Sequence, residues 1–161
     1  MLKKILLFLL FALIVIQFIH PKPNRQEGPF PNAIATVFKV PAGVQSILEK
    51  ACNDCHSNNT RYPWYARLQP VDWWMDTHVR DGKSELNLDE YAHRSLRFKY
   101  HKMEEIAEQV KEGKMPLNSY TRIHKDAVLT EAEKSALIAW ADGIREEMRT
   151  QYPIDSLERR K

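Results

Sequence analysis

The sequence predicts an all-α fold, and three amphipathic segments are the basis of that prediction. In each segment apolar residues recur at intervals of three and four, the spacing that places them on one face of a helix. Thr130 and Glu133 form a capping box before the last segment, and Gly113 offers a C-terminal stop for the middle one. The three apolar stripes consist of Val44, Ile47, Leu48 and Ala51, of Met103, Ile106, Ala107 and Val110, and of Leu137, Trp140, Ala141, Ile144 and Met148.

The composition is that of one small globular domain with appendages. The chain has 161 residues, of which 43% are hydrophobic and 28% are charged, enough for a core of its own. Its net charge is +3, but Lys3 and Lys4 supply two of those charges outside the predicted folded part, so the balance gives no support to nucleic-acid binding. We divide the chain into a membrane segment at 1–20, a Pro-rich linker at 21–42, a helical domain at 43–150 and a polar tail at 151–161.

The amino-terminal residues predict a signal anchor. Lys3 and Lys4 precede an apolar run from Ile5 to Ile19 that only Gln17 interrupts. A spanning helix needs about 20 apolar residues, so this run is short, yet no small-x-small cleavage site follows it. We predict an uncleaved anchor whose amino end stays in the cytoplasm, followed by a semi-extended linker. A cleaved signal that releases a soluble domain is the alternative.

The only two cysteines of the chain, Cys52 and Cys55, form a C-x-x-C-H motif with His56 directly after the first predicted helix. This is the signature of covalent haem attachment, in which both sulfurs form thioethers with the haem and the histidine binds the iron. A thioredoxin-like redox pair and half of a zinc site are the alternatives. The first would follow a β-strand, and the second needs further cysteines or a close histidine pair. We therefore predict one haem c.

Two further elements are predicted between the motif and the middle stripe. Pro70 suits the first position of a helix that Gly82 would end. Asn87 and Glu90 have the spacing of a capping pair that opens another helix. We expect the tryptophans at 73 and 74 to pack in the core or against the haem.

Several of these features together resemble a small class I cytochrome c. They are the C-x-x-C-H motif after an amphipathic helix, Met115-Pro116 on a late loop, and the capping box before the C-terminal helix. The stretch from Cys55 to Tyr65, with Trp73-Trp74 and His78-Val79, resembles more narrowly the haem-binding-domain proteins of Bacteroidetes and their relatives. The likeness spans about Val44 to Arg149.

The resemblance implies a cytochrome c-like helical domain around one covalently attached haem, preceded by the membrane helix and exported to the periplasmic side of a bacterial inner membrane. It implies Cys52 and Cys55 as covalent anchors, His56 as the proximal iron ligand and Met115 as the distal ligand. One departure is the segment between His78 and Met115, which is longer and more helical than in minimal cytochromes.

The residues themselves also favour Met115 as the second iron ligand. Pro116 prevents a helix from continuing, which leaves the Met115 thioether on a loop. A thioether costs less desolvation in a haem pocket than an imidazole does. His78, on the predicted helix face of Trp74, and His124, which follows on the same loop, are the alternatives.

The predicted function is the transfer of single electrons between a donor and an acceptor redox protein. The chain shows no Ser/His/Asp grouping, phosphate-binding glycine loop or HExxH motif, which favours an electron carrier over a catalyst. A haem peroxidase or an accessory subunit of an oxidoreductase is one alternative. A haem-based sensing module is the other.

Overall fold

The computed structural model describes residues 1–158, and within that range it contains helices and no β-strand. The all-α prediction is therefore confirmed. The last three residues of the predicted polar tail, 159–161, lie outside the described residues. The α-helices are α1 (Leu2–Ile16), α2 (Ala42–Ala51), α3 (Asn53–His56), α4 (Val71–Glu85), α5 (Leu96–Lys111), α6 (Asn118–Thr121), α7 (Glu131–Gln151) and α8 (Ile154–Leu157), with short 3-10 helices at Ile34–Thr36, Trp64–Arg67, Leu88–Glu90 and Lys125–Ala127.

The core lies between α2, α5 and α7, the helices that carry the three apolar stripes. Met103 of α5 and Leu137 and Met148 of α7 are fully buried. The short α8 folds back onto α5 and adds Leu157 to the same core. Burial of these apolar side chains is the main source of stability in a domain of this size.

The predicted stop after α5 and the predicted start of α7 are both confirmed. Gly113 adopts a φ of +67° directly after α5, a conformation that glycine accepts without steric cost. At the start of α7, the Thr130 hydroxyl accepts a hydrogen bond from the backbone N–H of Glu133, and the Glu133 carboxylate accepts one from the backbone N–H of Thr130. Each signal is local, and for that reason it could be recognised in the sequence.

Two predicted boundaries between α3 and α5 are wrong. The α4 helix does not end at Gly82 but continues to Glu85. Asn87 caps only the 3-10 helix Leu88–Glu90, because its side chain accepts from Asp89 N–H, two residues on, and the chain then turns. The tryptophans at 73 and 74 are also not core residues, since both are more than a third exposed.

The α1 helix has 15 residues, and none of them is buried against the domain. Among residues 1–158, no helix combines the length and the apolar character that crossing a membrane requires. The predicted N-terminal membrane helix is therefore not supported by the structure.

The Pro-rich segment that follows α1 runs along the domain and is joined to it by hydrogen bonds. The Asn24 side-chain amide donates 2.9 Å hydrogen bonds to Ser57 O and to Thr60 Oγ1. Further on, Trp140 Nε1 of α7 donates to Lys39 O at 3.0 Å. These contacts tie the segment to the residues that follow the C-x-x-C-H motif and to the C-terminal helix.

Candidate functional site

The C-x-x-C-H motif forms a single helical turn directly after α2. Cys52 is the residue that joins α2 to α3, and Cys55 and His56 lie on α3. Both cysteines are free thiols and both are partly buried. One turn of helix therefore carries both cysteines and the histidine of the motif, the arrangement that covalent haem attachment uses.

Burial keeps both cysteines protonated. It raises the pKa of Cys52 to about 12, with a smaller contribution from Cys55. It raises the pKa of Cys55 to about 11, and the negative charge of Asp54 adds to that shift. Redox-active C-x-x-C pairs depend instead on a lowered thiol pKa, so this environment disfavours the thioredoxin-like interpretation.

His56 is held in an orientation that suits a metal ligand. Its Nδ1 lies 3.0 Å from Leu86 O, and because a carbonyl oxygen can only accept, Nδ1 carries the proton. Burial lowers the pKa of His56, and the hydrogen bond to Leu86 opposes that shift only in part, so the ring is neutral near pH 7. Nε2 then holds the lone pair that can bind iron, and the Leu86 carbonyl fixes the direction of the ring.

Gly82 allows α4 to lie directly against the motif. A Cβ atom at this position would come within 2.7 Å of Cys55 O and 3.0 Å of Cys55 Cβ. Only glycine accommodates so close an approach without a backbone shift. This contact brings the end of α4, and with it Leu86 O, next to His56.

Asp54, inside the motif, connects it to the loop that carries α6. Its carboxylate is buried and accepts hydrogen bonds from Arg61 N–H at 2.9 Å and from Tyr120 Oη at 2.6 Å. Burial and the bond to Asp54 both raise the pKa of Tyr120, so its hydroxyl remains a donor. Thr60 Oγ1 also donates to Asp54 O at 2.6 Å. The motif is thus fixed from two sides, by α4 and by α6.

A cavity of about 60 Å³ borders Cys55 between α4 and the loop around α6. Its wall is mostly apolar and includes two of the predicted alternative ligands, His78 and His124, but not Met115. The His78 ring lies 4.2 Å from that of Trp74, and its Nδ1 donates to Trp74 O at 2.9 Å. The structure therefore brings both histidines to the cavity beside the motif.

His124 and Met115, two of the three candidate distal ligands, are each held by contacts with other residues. His124 Nε2 lies 2.8 Å from Tyr65 Oη, and its ring stacks on Tyr120 with 4.3 Å between centroids. Met115 lies partly buried on the turn after α5, where its N–H donates to Gln109 O at 3.1 Å. The choice of the distal ligand among Met115, His78 and His124 remains a prediction.

Several site residues were not anticipated in the sequence analysis. Gly82 had a signal, since a glycine inside an amphipathic helix often marks a close approach, but it was interpreted as a helix end. Asp54 and Tyr120 carried none, because their contact joins residues far apart in the chain. Leu86 acts through its backbone carbonyl, a group that every residue has.

The residues present fit a covalently attached haem. Two protonated thiols lie on one turn, and a neutral imidazole on the same turn has its Nδ1 occupied by a carbonyl. This donor set provides the two thioether positions and one nitrogen ligand.

Comparison with known proteins gives one match. A family model described as a haem-binding domain matches residues 11–143, from the end of α1 through the C-x-x-C-H motif into α7. No curated protein and no solved structure matches the chain.

Proposed function

Since the chain belongs to the haem-binding-domain family, we propose that it attaches one haem covalently and carries single electrons between redox partners. The observation that carries the proposal is the hydrogen bond from His56 Nδ1 to Leu86 O within a C-x-x-C-H motif. A bound haem would supply a one-electron iron couple whose potential depends on its axial ligands, its burial and nearby hydrogen bonds.

In this proposal each residue of the motif has a separate role. Cys52 and Cys55 would each hold the haem through a thioether. His56 binds the iron through Nε2, and the Leu86 carbonyl sets the orientation and the basicity of its ring. Gly82 keeps α4 close enough for that carbonyl to reach the ring.

Met115 is the distal ligand that we propose, with His78 or His124 as the alternative. A methionine opposite a histidine favours the ferrous state and raises the reduction potential. Either alternative would give bis-histidine ligation and a lower potential.

We further propose that the domain works outside the inner membrane of a bacterium and that α1 attaches it to lipid. The support is the sequence pattern, in which Lys3 and Lys4 precede an apolar run, together with the observation that no residue of α1 is buried by the domain. An alkaline phosphatase fusion after Lys161 should then be active. An amino terminus near Pro21 in a soluble periplasmic fraction would contradict lipid attachment but not export.

The test of covalent attachment uses the two cysteines separately and together. We expect protein made with a haem-attachment system to keep its haem in denaturing gels and after acid-organic extraction. Cys52→Ala and Cys55→Ala alone should each retain haem through the remaining thioether, and the double variant should lose it. Free extraction of haem from the wild type would contradict the proposal.

The enzymatic alternative predicts a different spectrum, because it requires an iron with an open or easily displaced distal position, seen as high-spin haem that binds carbon monoxide or cyanide rapidly. A sensing module would instead show a conformational change that depends on ligand binding. An electron carrier with two protein ligands should be low-spin and bind carbon monoxide and cyanide slowly.

A further inference from the structure

Three of the four tryptophans lie on the surface around the start of α4. The exposed fractions are 80% for Trp64, 38% for Trp73 and 46% for Trp74, and Leu68 between them is 48% exposed. Trp140, by contrast, is buried in the core. The 3-10 helix that carries Trp64 packs against α4, which carries Trp73 and Trp74. We call these four exposed residues the tryptophan collar.

The carboxyl end of α1 is fixed beside this collar. Gln17 and Gln69 exchange hydrogen bonds, with Gln69 N–H donating to Gln17 Oε1 at 3.0 Å and Gln17 Nε2 donating to Gln69 O at 3.2 Å. Gln69 Nε2 donates to Ile19 O at 2.6 Å, and the indole Nε1 of Trp73 donates to the same oxygen at 3.1 Å. A collar residue is therefore bonded directly to the segment that follows the apolar helix.

Gln69 and Asp72, which join the end of α1 to α4, are buried and hydrogen-bonded. Gln69 is only 5% exposed, and both its backbone N–H and its side-chain amide have partners. Next to it, His20 Nδ1 donates to the buried Asp72 carboxylate at 2.6 Å. The direction in which α1 leaves the domain is thus set by a network of hydrogen bonds.

The α1 helix and the tryptophan collar both expose side chains that are suited to contact with lipid. From Ile5 onward the helix is apolar on every side, and none of its residues is buried by the domain. Tryptophan combines a large apolar ring with an N–H donor, and it is enriched where the hydrocarbon of a bilayer meets the headgroups. An apolar helix with exposed tryptophans at its domain end has the arrangement of a membrane insert with an interfacial belt.

We propose that the tryptophan collar lies in the headgroup region of the lipid bilayer into which α1 inserts, and that it orients the domain on the membrane. The inference rests on the lipid attachment put forward above as part of the proposed function. Trp74 also lines the cavity beside Cys55, so the collar holds the attachment motif near the lipid surface. The partner of this surface is a phospholipid bilayer.

The test uses full-length, haem-loaded protein reconstituted in phosphatidylcholine and phosphatidylglycerol vesicles. The lipids carry a photoactivatable group near the glycerol backbone, and mass spectrometry locates the cross-links. We expect cross-links in α1 and in the collar peptide 64–74. Ile154 on α8 is the internal control, because it is 51% exposed and apolar but lies outside the collar, and it should not be labelled.

A variant then tests whether the tryptophans set the orientation. Trp64→Ser, a change at a collar residue that does not line the cavity beside Cys55, should reduce cross-linking at Leu68 several-fold and leave cross-linking of α1 unchanged. Ile154→Ser should leave both unchanged. Haem content and circular dichroism establish that each variant is folded.

The outcomes separate this proposal from the proposed function. Cross-links in α1 without any in 64–74, or equal labelling of Ile154, would contradict the proposal that the tryptophan collar lies in the headgroup region. Protein that keeps covalent haem but washes off the vesicles would contradict both lipid attachment by α1 and the membrane position of the tryptophan collar. The proposal of covalent haem attachment would still hold. Cross-links in the collar of a protein that lacks covalent haem would support the membrane position of the tryptophan collar and contradict the proposal of haem attachment.

Discussion

Replacement of Gly82 by alanine tests whether α4 must lie against the attachment motif. The added Cβ would be 2.7 Å from Cys55 O, 3.0 Å from Cys55 Cβ and 3.2 Å from Cys55 C. All three are backbone or Cβ atoms that no side-chain rotation can move. Helix α4 and the motif must therefore separate by a few tenths of an ångström.

Two opposing effects determine the change in stability. Overpacking of this kind costs roughly 1–3 kcal/mol. Alanine in place of glycine inside a helix contributes about 1 kcal/mol in the other direction. Gly143, inside α7, provides the matched control, because a Cβ there would meet nothing within 4 Å. Subtracting the effect of Gly143→Ala from that of Gly82→Ala removes the propensity contribution and leaves the steric cost.

The assay is urea unfolding of both variants and the wild type in the same haem state. We expect Gly143→Ala to be more stable than the wild type by up to about 1 kcal/mol. Gly82→Ala should be roughly 1–3 kcal/mol less stable than Gly143→Ala, which corresponds to a melting temperature lower by about 2–12 °C for a chain of this length. Gly82→Ala should also attach less haem. If both substitutions stabilise the protein equally, the close packing of α4 on the motif is refuted.

Three further predictions concern the start of α7, the contact between Tyr120 and Asp54, and the distal ligand. Thr130→Ala removes the capping box of α7 and should cost about 1 kcal/mol in urea unfolding, whereas Thr130→Ser should cost little; equal losses would contradict the capping role. Tyr120→Phe removes the 2.6 Å hydrogen bond to Asp54 and should cost about 1.5–3 kcal/mol, so an unchanged unfolding midpoint would argue against this link. Met115→Ala should abolish the sulfur-to-iron charge-transfer band, lower the reduction potential and open the iron to cyanide, and His78→Ala should do none of these. The opposite pattern would indicate ligation by His78.

What the sequence could predict depended on how local each signal is. The apolar stripes of α2, α5 and α7, the capping box at Thr130 and the stop at Gly113 involve residues within a few turns of one another, and all of them are confirmed. The C-x-x-C-H motif is equally local, since its spacing alone indicates haem attachment. The roles assigned to Cys52, Cys55 and His56 stay predictions.

The features that were missed depend on contacts between distant parts of the chain. A glycine that ends a helix and a glycine that lets two helices touch look alike in a sequence, and Gly82 belongs to the second class. The two tryptophans at the start of α4 were expected in the core or against the haem, but both are more than a third exposed, and Trp73 Nε1 donates to Ile19 O in the segment after α1. The pattern of apolar residues in a sequence does not show whether a given side chain is buried in the core or exposed on the surface.

The central claim is that one haem is bound covalently to this chain, and the mass of the unfolded holoprotein tests it most directly. Protein made with a haem-attachment system is denatured in acid and organic solvent, freed of unbound haem and measured intact by mass spectrometry. We predict a single species with the mass of the polypeptide plus one haem, and the Cys52→Ala, Cys55→Ala double variant at the mass of the polypeptide alone. A wild-type protein at the bare polypeptide mass, from a preparation that was red before denaturation, would contradict the claim.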